Sequence, residues 1–270
     1  MSSSSLLDAL SNHLPASGRM GVAFSGGVDS ATLAAASLRL LGPERVVAIL
    51  AVSPSLAARE RAAARRTAEE IGVELVELEV FEHERPEYQA NGVDRCYFCK
   101  SEMFERIDAS TLDVEHVAYG ENADDAVRTD RPGALAASEH GVLRPLAAAG
   151  LTKADVRALA RELGLSVADK PAAPCLASRV PHGLEVVPEK LRQIEAVENA
   201  LADLGFSDSR VRHHGSIARI EVPAAQLVAL AQCAETVQEA AVKAGFTYAA
   251  LDLGGMHSGA FTRRAMGAQA

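Results

Sequence analysis

Apolar positions follow two rhythms along this chain. Residues 20–24, Met-Gly-Val-Ala-Phe, form a short run without polar interruption that ends at Ser-Gly-Gly. Such a run, bounded by turn residues, predicts a strand buried on both faces. Further strands are expected at 46–52, 73–80, 114–119 and 141–143. Between them the apolar positions return every third or fourth residue, predicting helices at 29–41, 55–71, 99–107 and 152–163, with a short amphipathic helix at 6–14. Strands alternating with helices imply an α/β fold whose parallel sheet is covered on both faces. Residues 170–185 are rich in Pro and Ala, lack a clear period and read as a functional linker. The pattern then restarts, with a helix at 188–204, strands at 209–214 and 218–222, two helices between 224 and 244 and a last strand at 248–253. These predict a small α+β domain, so the chain divides into 1–175, with the cysteine site, and 176–270, for substrate binding or oligomerisation. No repeat at a fixed period is present.

Composition narrows the choice of partners. A chain of 270 residues is long enough for two domains, and 36 acidic against 27 basic residues give a net charge of -9. That balance repels a polyanion, so a nucleic-acid partner is not expected. No stretch approaches the roughly eighteen apolar residues of a membrane span, and the N-terminus has no basic segment followed by an apolar run. The expected location is the cytoplasm, with no membrane partner. Four cysteines are too few for a disulfide framework, and the Cys96, Cys99 pair has metal or redox spacing.

The most informative motif is Ser25-Gly26-Gly27-Val28-Asp29-Ser30, between an expected strand and an expected helix. Glycines let the backbone approach a ligand, while free N–H groups and the positive helix end attract an anion. Ser25 and Ser30 add hydroxyl donors, and Asp29 suits a Mg²⁺ that accompanies a nucleotide. The lysine of a Walker loop is missing. The motif resembles the SGGxDS signature of the PP-loop, or N-type, ATP pyrophosphatases. That likeness implies an adenine nucleotide alpha hydrolase-like fold, ATP cleaved between its α and β phosphates, and pyrophosphate left in this loop. A second segment, Tyr119-Gly120-Glu121-Asn122-Ala123-Asp124-Asp125, follows another strand. Ligands of open α/β sheets lie outside the carboxyl ends of the strands, so Gly120, Asn122 and Asp124 would face the same crevice. Asp124 and Asp125 equally suit the cap of a following helix. Ser53, in Ala51-Val52-Ser53-Pro54-Ser55, is placed to meet adenine through its backbone, and Ser55 to do so or to cap a helix.

Cys96 and Cys99 stand in Cys-Tyr-Phe-Cys-Lys, Cys175 in Pro-Cys-Leu-Ala-Ser-Arg, and Cys233 in an apolar helical run that suits a small buried residue. Three thiolates can hold a [4Fe–4S] cluster with one iron lacking a protein ligand. They also suit structural zinc completed by His83 or His182, or a redox pair at Cys96 and Cys99 with Cys175 as nucleophile.

SGGVDS, CYFCK, GENADD, PCLASR and the later Arg210-Val211-Arg212-His213-His214-Gly215 and Ala218-Arg219-Ile220-Glu221 together resemble the LarE family of sulfur transferases over nearly the whole chain. The resemblance implies adenylation of a carboxylate of pyridinium-3,5-biscarboxylic acid mononucleotide, followed by displacement of AMP by sulfur, for a nickel-pincer cofactor. In one branch of the family the cysteine of PCLASR gives up its own sulfur. In the other, three cysteines bind a [4Fe–4S] cluster carrying the extra sulfide, and Cys96, Cys99 and Cys175 match that branch. A sulfide donor and a homo-oligomer are expected. Glu121 departs from the pattern, where a smaller residue such as Thr is expected.

Arg210 and Arg212 alternate on one expected strand and so share a face, where two guanidinium groups could clamp the phosphate of a mononucleotide, with Glu221 paired to either. A solvated charged face is the plainer account of the same pattern. Arg179, beside Cys175, is placed to neutralise an adenylate phosphate. His213 and His214 are expected at the surface or as caps. A tRNA thiolase shares this activation chemistry, but the acidic balance opposes it. An amide-forming synthetase leaves the cysteines without purpose, and intact Ser25, Asp29 and Ser30 argue against the degenerate loop of a zinc-stabilised nucleotide-binding module.

Overall fold

The computed structural model describes residues 3–127 and 132–256. In chain order the first elements are α1 (Ser3–Ser11), β1 (Met20–Ala23), α2 (Val28–Leu41), β2 (Val46–Val52), α3 (Ala58–Ile71), β3 (Glu74–Glu79) and α4 (Pro86–Gln89). Next come α5 (Arg95–Asp108), β4 (His116–Tyr119), α6 (Ala123–Ala126), α7 (Pro132–Glu139), α8 (Pro145–Ala148) and α9 (Lys153–Glu162). The last are α10 (Pro188–Asp203), β5 (Arg210–His214), β6 (Ile217–Glu221), α11 (Leu227–Gln232), α12 (Ala234–Lys243) and β7 (Tyr248–Leu251). Two compact units result, Met1–Glu82 with Cys96–Ala173, and His83–Arg95 with Pro174–Ala270. Residues 257–270 of the expected second domain lie outside the described residues.

The first unit is the expected α/β layer structure. Its sheet runs β3-β2-β1-β4 with every pair parallel, Met20 standing opposite both Val46 and His116. β1 and β2 are small and apolar because helices cover them; Met20, Val22, Val46, Ala48 and Leu50 join Ala31, Leu33 and Ala34 of α2 in one core. Parallel pairing puts the carboxyl ends of β1, β2 and β4 on one edge, where the loops singled out above emerge.

Local chemistry shifts several boundaries. α1 lies three residues earlier than expected, because Pro15 disfavours helical backbone before it. The expected strand at 141–143 is a single bridge, Ala118 to Leu143, since Gly141 turns with φ 63° and α8 begins at Pro145. α3 starts at Ala58 with Ala57 as its cap rather than Ser55, whose hydroxyl is used elsewhere. α5 begins at Arg95 rather than 99, so Cys96 lies on its first turn and Cys99 about one turn further on.

In the second unit β5-β6-β7 form a small sheet, with β5 and β6 antiparallel and β6 and β7 parallel. α10 packs on β5 and α12, giving the α+β pattern. The segment 170–185 is more ordered than a linker, with a 3₁₀ turn at Leu176–Arg179 and Leu176, Ala177 and Val180 buried. Asn91, at φ 54°, ties residues 83–95 to that segment. Its Nδ2 donates to the carbonyls of Pro181 and Leu184, both at 2.8 Å. Among the described residues no helix is long and apolar enough to cross a membrane.

His213 is buried rather than at the surface, its ring 5.0 Å from Phe246 and its Nε2 2.9 Å from Gln193 Oε1. His214 beside it is exposed. Burial, helped by Lys190, holds the His213 pKa below its ordinary value. The unfolded chain therefore binds a proton near pH 6.5 that the folded chain refuses. Stability is expected to fall as pH drops below about 6.5, with a slope of up to about 1.4 kcal/mol per pH unit from this group. Thermal melts of the protein and of His213→Gln between pH 7 and 5 check this, the variant losing that part of the acid sensitivity.

Candidate active site

The phosphate-loop geometry follows from its glycines. Gly26 takes φ 67°, and a Cβ there would lie 2.7 Å from Cα of Ala64, so α3 closes against a bare backbone. Gly27 then stands at the N-cap of α2, where no side chain caps the helix. The first-turn N–H groups of a helix have no intrahelical acceptor, so this end can take an anion. Ser25 and Ser30 brace the loop: their hydroxyls lie 3.2 Å apart, and Ser30 Oγ donates to Gly27 O at 3.2 Å.

Asp29, in the first turn, is the meeting point of three segments. Its Oδ1 accepts from Asn122 Nδ2 at 3.2 Å, and its Oδ2 lies 2.5 Å from Lys153 Nζ. Asn122 also caps α6 through the Asp125 N–H at 3.1 Å. Gly120 allows this approach, for a Cβ on it would lie 2.7 Å from both the Asp29 carbonyl carbon and the Ser30 nitrogen. Asp124 faces the start of α9, where Oδ2 accepts from the Lys153 backbone N–H at 2.8 Å. Glu121 is buried and pairs with Arg144 at 3.4 Å, which accounts for a large acidic residue at that place. At the end of β2, Ser53 Oγ donates to Glu82 Oε1 at 2.5 Å, and Ser55 Oγ donates to the same oxygen.

Of the cysteines, Cys96 is exposed and Cys99 partly buried on α5, and none of the four is in a disulfide. Among the described residues no three His, Cys, Asp or Glu side chains are placed to hold a metal ion. In the second unit Cys175 is exposed, on a turn fixed by Arg179. Arg179 Nη1 donates to Pro174 O at 2.6 Å, Cys175 O at 3.2 Å and Ser178 Oγ at 3.0 Å, while Nε and Nη2 hold Glu198 at 2.9 and 3.2 Å. Arg212 is buried; it pairs with Glu221 at 2.8 Å, and its Nη1 donates to Ser178 O at 3.0 Å. Arg210, paired with Asp208 at 3.4 Å, is also desolvated, which lowers its pKa. Glu221 holds Arg219 at 2.9 Å as well.

The family model for asparagine synthase matches residues 3–94. The chain is 41% identical to uncharacterized protein slr1717 of Synechocystis over 90% of its length and 91% of that protein. It is 35% identical to the pyridinium-3,5-bisthiocarboxylic acid mononucleotide synthase of Lactiplantibacillus plantarum, over 89% of this chain and 88% of the synthase. The chain belongs to the LarE family of PP-loop proteins. A more distant relative, uncharacterized protein MJ0830 of Methanocaldococcus jannaschii, is 28% identical over 74% of this LarE-family chain and 76% of its own. Membership makes this an ATP-using enzyme.

Three residues of this LarE-family protein escaped the motif search. Lys153 meets Asp29 across 124 positions of sequence. Glu82 and Glu198 collect hydroxyl and guanidinium donors from distant segments. A charged residue next to a helix start was the available signal for Lys153, since Thr152 forms a capping box with Asp155.

Proposed function

We propose that the enzyme uses ATP to adenylate a carboxylate of pyridinium-3,5-biscarboxylic acid mononucleotide and then converts it to a thiocarboxylate for a nickel-pincer cofactor. The observation that carries this reading is the uncapped start of α2 with Asp29, Asn122 and Lys153 gathered on it. Kinship to a synthase of the bisthiocarboxylic mononucleotide supports the substrate.

In the first step a carboxylate oxygen of the substrate bonds to the α phosphorus, and the bond from that phosphorus to the bridging oxygen breaks, releasing pyrophosphate. The N–H groups of 27–30 and the Ser25 and Ser30 hydroxyls take the charge of the leaving group, and Lys153 adds a cation. A single carboxylate such as Asp29 suits Mg²⁺, which keeps several waters and draws other ligands from phosphate. Ser53 meets adenine through its backbone, and Gly120, Asn122 and Asp124 form the facing wall. In the second step sulfide bonds to the acyl carbon and AMP leaves with the former carboxylate oxygen. Arg179 holds the Cys175 turn and lends positive charge to the AMP phosphate, while Arg212, oriented by Glu221, and Arg210, beside Asp208, take the phosphate of the mononucleotide.

Cys96 and Cys99, one helical turn apart on α5, and Cys175 would supply three thiolates, a soft donor set of the kind that binds a [4Fe–4S] cluster. Held by three thiolates, such a cluster would leave one iron without a protein ligand and would supply a place for sulfide from a small-molecule donor. A cytoplasmic homo-oligomer goes with this reading.

Protein prepared without oxygen is expected to hold about four iron and about four acid-labile sulfide per chain. Cys96→Ala is expected to lose both while still releasing pyrophosphate from ATP and the mononucleotide. Zinc in place of iron, or metal-free protein whose Cys175 becomes dehydroalanine after one turnover, overturns the cluster.

A further inference from the structure

Glu82 is a carboxylate that the chemistry above does not use, and its surroundings are lopsided. It is 1% exposed. Its Oε1 accepts two hydroxyl protons, from Ser53 and Ser55, while its Oε2, also buried, meets no donor among the described residues. The arrangement is fixed from the serine side. Ser53 Oγ accepts from the Ser55 N–H at 3.2 Å and lies 3.1 Å from Ser55 Oγ, so both hydroxyls are held toward the same carboxylate oxygen. An ionised carboxylate only accepts hydrogen bonds, and a buried acceptor left bare gives up its hydration without return. A buried polar atom of this kind calls for an explanation, and a ligand group or ordered water is the usual one.

The position says what kind of partner. Ser53 directly follows β2, and Glu82 follows β3, whose pairing continues past its end through the Val80 N–H on Val52 O at 3.0 Å. Both residues stand at the carboxyl edge of the sheet, on the first and second strands out from β1, which ends in loop 25–30. Neighbouring strands are about 4.8 Å apart, so the end of β3 lies about 10 Å from loop 25–30 along the same sheet edge, within the reach of a nucleoside triphosphate. A carboxylate there repels phosphate and a purine keto oxygen and attracts a neutral N–H or O–H.

We propose that Glu82 Oε2 accepts a hydrogen bond from the nucleoside of bound ATP, given by the 6-amino group or by a ribose hydroxyl, and so sets nucleotide specificity. This rests on ATP binding at the loop 25–30. The donor completes the second oxygen, and Ser53 and Ser55 act as positioning residues that keep the first one occupied.

The test is calorimetric titration of the full-length protein with α,β-methylene analogues, which resist cleavage between the α and β phosphates. The ligands are the analogues of ATP, purine riboside triphosphate, 2′-deoxy-ATP, 3′-deoxy-ATP and GTP. The wild type is expected to bind the ATP analogue and to lose roughly 10- to 100-fold in affinity for whichever ligand lacks the donor. Glu82→Gln is expected to bind the ATP analogue weakly by a similar factor and to be indifferent to loss of that same donor, a coupling that a general loss of packing does not produce. Coupling to the 6-amino group identifies adenine as the partner and predicts rejection of the GTP analogue; coupling to a hydroxyl identifies the ribose. Glu82→Asp keeps the charge but withdraws the oxygen, and serves if the glutamine variant does not fold. Equal weakening of every ligand in a folded variant, or none, overturns the proposal. Absence of binding by the folded wild type to all of them removes the ATP site itself, a result separable from failure of Glu82 alone.

Discussion

Alanine at position 120 is expected to leave the chain folded but to weaken ATP binding by about 10- to 100-fold, the equivalent of the cost of overpacking two backbone segments. The added methyl has nowhere to go. It would lie 2.7 Å from the carbonyl carbon of Asp29, 2.7 Å from the nitrogen of Ser30 and 3.0 Å from the Asp29 oxygen, all backbone atoms in the first turn of α2. A flexible side chain would swing aside, but a helix start fixed to β1 does not. The turn and the 120–125 loop must separate, which stretches the Asn122 contact with Asp29 and draws Lys153 away. Overpacking of this kind costs about 1–3 kcal/mol. Gly27→Ala is the control for folding alone, since Gly27 itself stands at the proposed phosphate site. Its Cβ would meet only Ser25 Oγ, at 3.4 Å, and its φ of -83° is open to any residue. Melting temperature should fall for Gly120→Ala and hold for Gly27→Ala. Calorimetric affinity for α,β-methylene-ATP should show the large loss at 120. Unchanged affinity in Gly120→Ala would mean that the closeness of the two loops does not serve the nucleotide.

The same contrast shows what was legible in the sequence. The strand at 20–24, the loop 25–30 and the helix after it were readable because each signal is local: an apolar run, a glycine pair, a restored helical period. Parallel order followed from alternation, and the small C-terminal sheet from the restart of the pattern after 188. Contacts between distant segments were not readable. Lys153 falls within the helix expected at 152–163 and is the first residue of α9, but its ion pair with Asp29 depends on how β1 and β4 lie side by side. Residues 83–95 carry no periodic signal linking them to 174–186, yet Asn91 places its amide among carbonyls there, and the Val186 N–H donates to Gln89 O at 2.9 Å. The strand at 141–143 failed for the opposite reason. Its apolar residues were read correctly, but Gly141 and Pro145 leave too little chain between them to pair more than one residue.

Glu221→Ala should lower the stability of the protein by about 3–5 kcal/mol, the cost of taking one partner from a buried ion pair. Glu221 is 2% exposed and serves two guanidinium groups: Oε2 accepts from Arg212 Nε at 3.0 Å and Nη2 at 2.8 Å, and Oε1 accepts from Arg219 Nη2 at 2.9 Å. Without the carboxylate, Arg212 keeps its charge in a site 7% exposed, and Arg219 still has Asp252. The uncompensated charge at Arg212 is therefore the main loss. Replacing the pair together, with Arg212→Met and Glu221→Leu, removes that charge and should recover most of the stability, because apolar groups of similar volume often match or exceed a buried pair. The double variant separates two roles that the single change confounds. If Arg212 is there only to fill the β5–β6 hairpin, the double variant should retain both stability and turnover. If it takes the phosphate of the mononucleotide, the double variant should melt near the wild type, release pyrophosphate poorly, and show a KM for the mononucleotide at least tenfold higher, with the KM for ATP unchanged. The second outcome is expected. Arg212 also donates to Ser178 O at 3.0 Å, beside the turn that carries Cys175, and a guanidinium held in place on one side by Glu221 and on another by that carbonyl is already oriented before any substrate arrives.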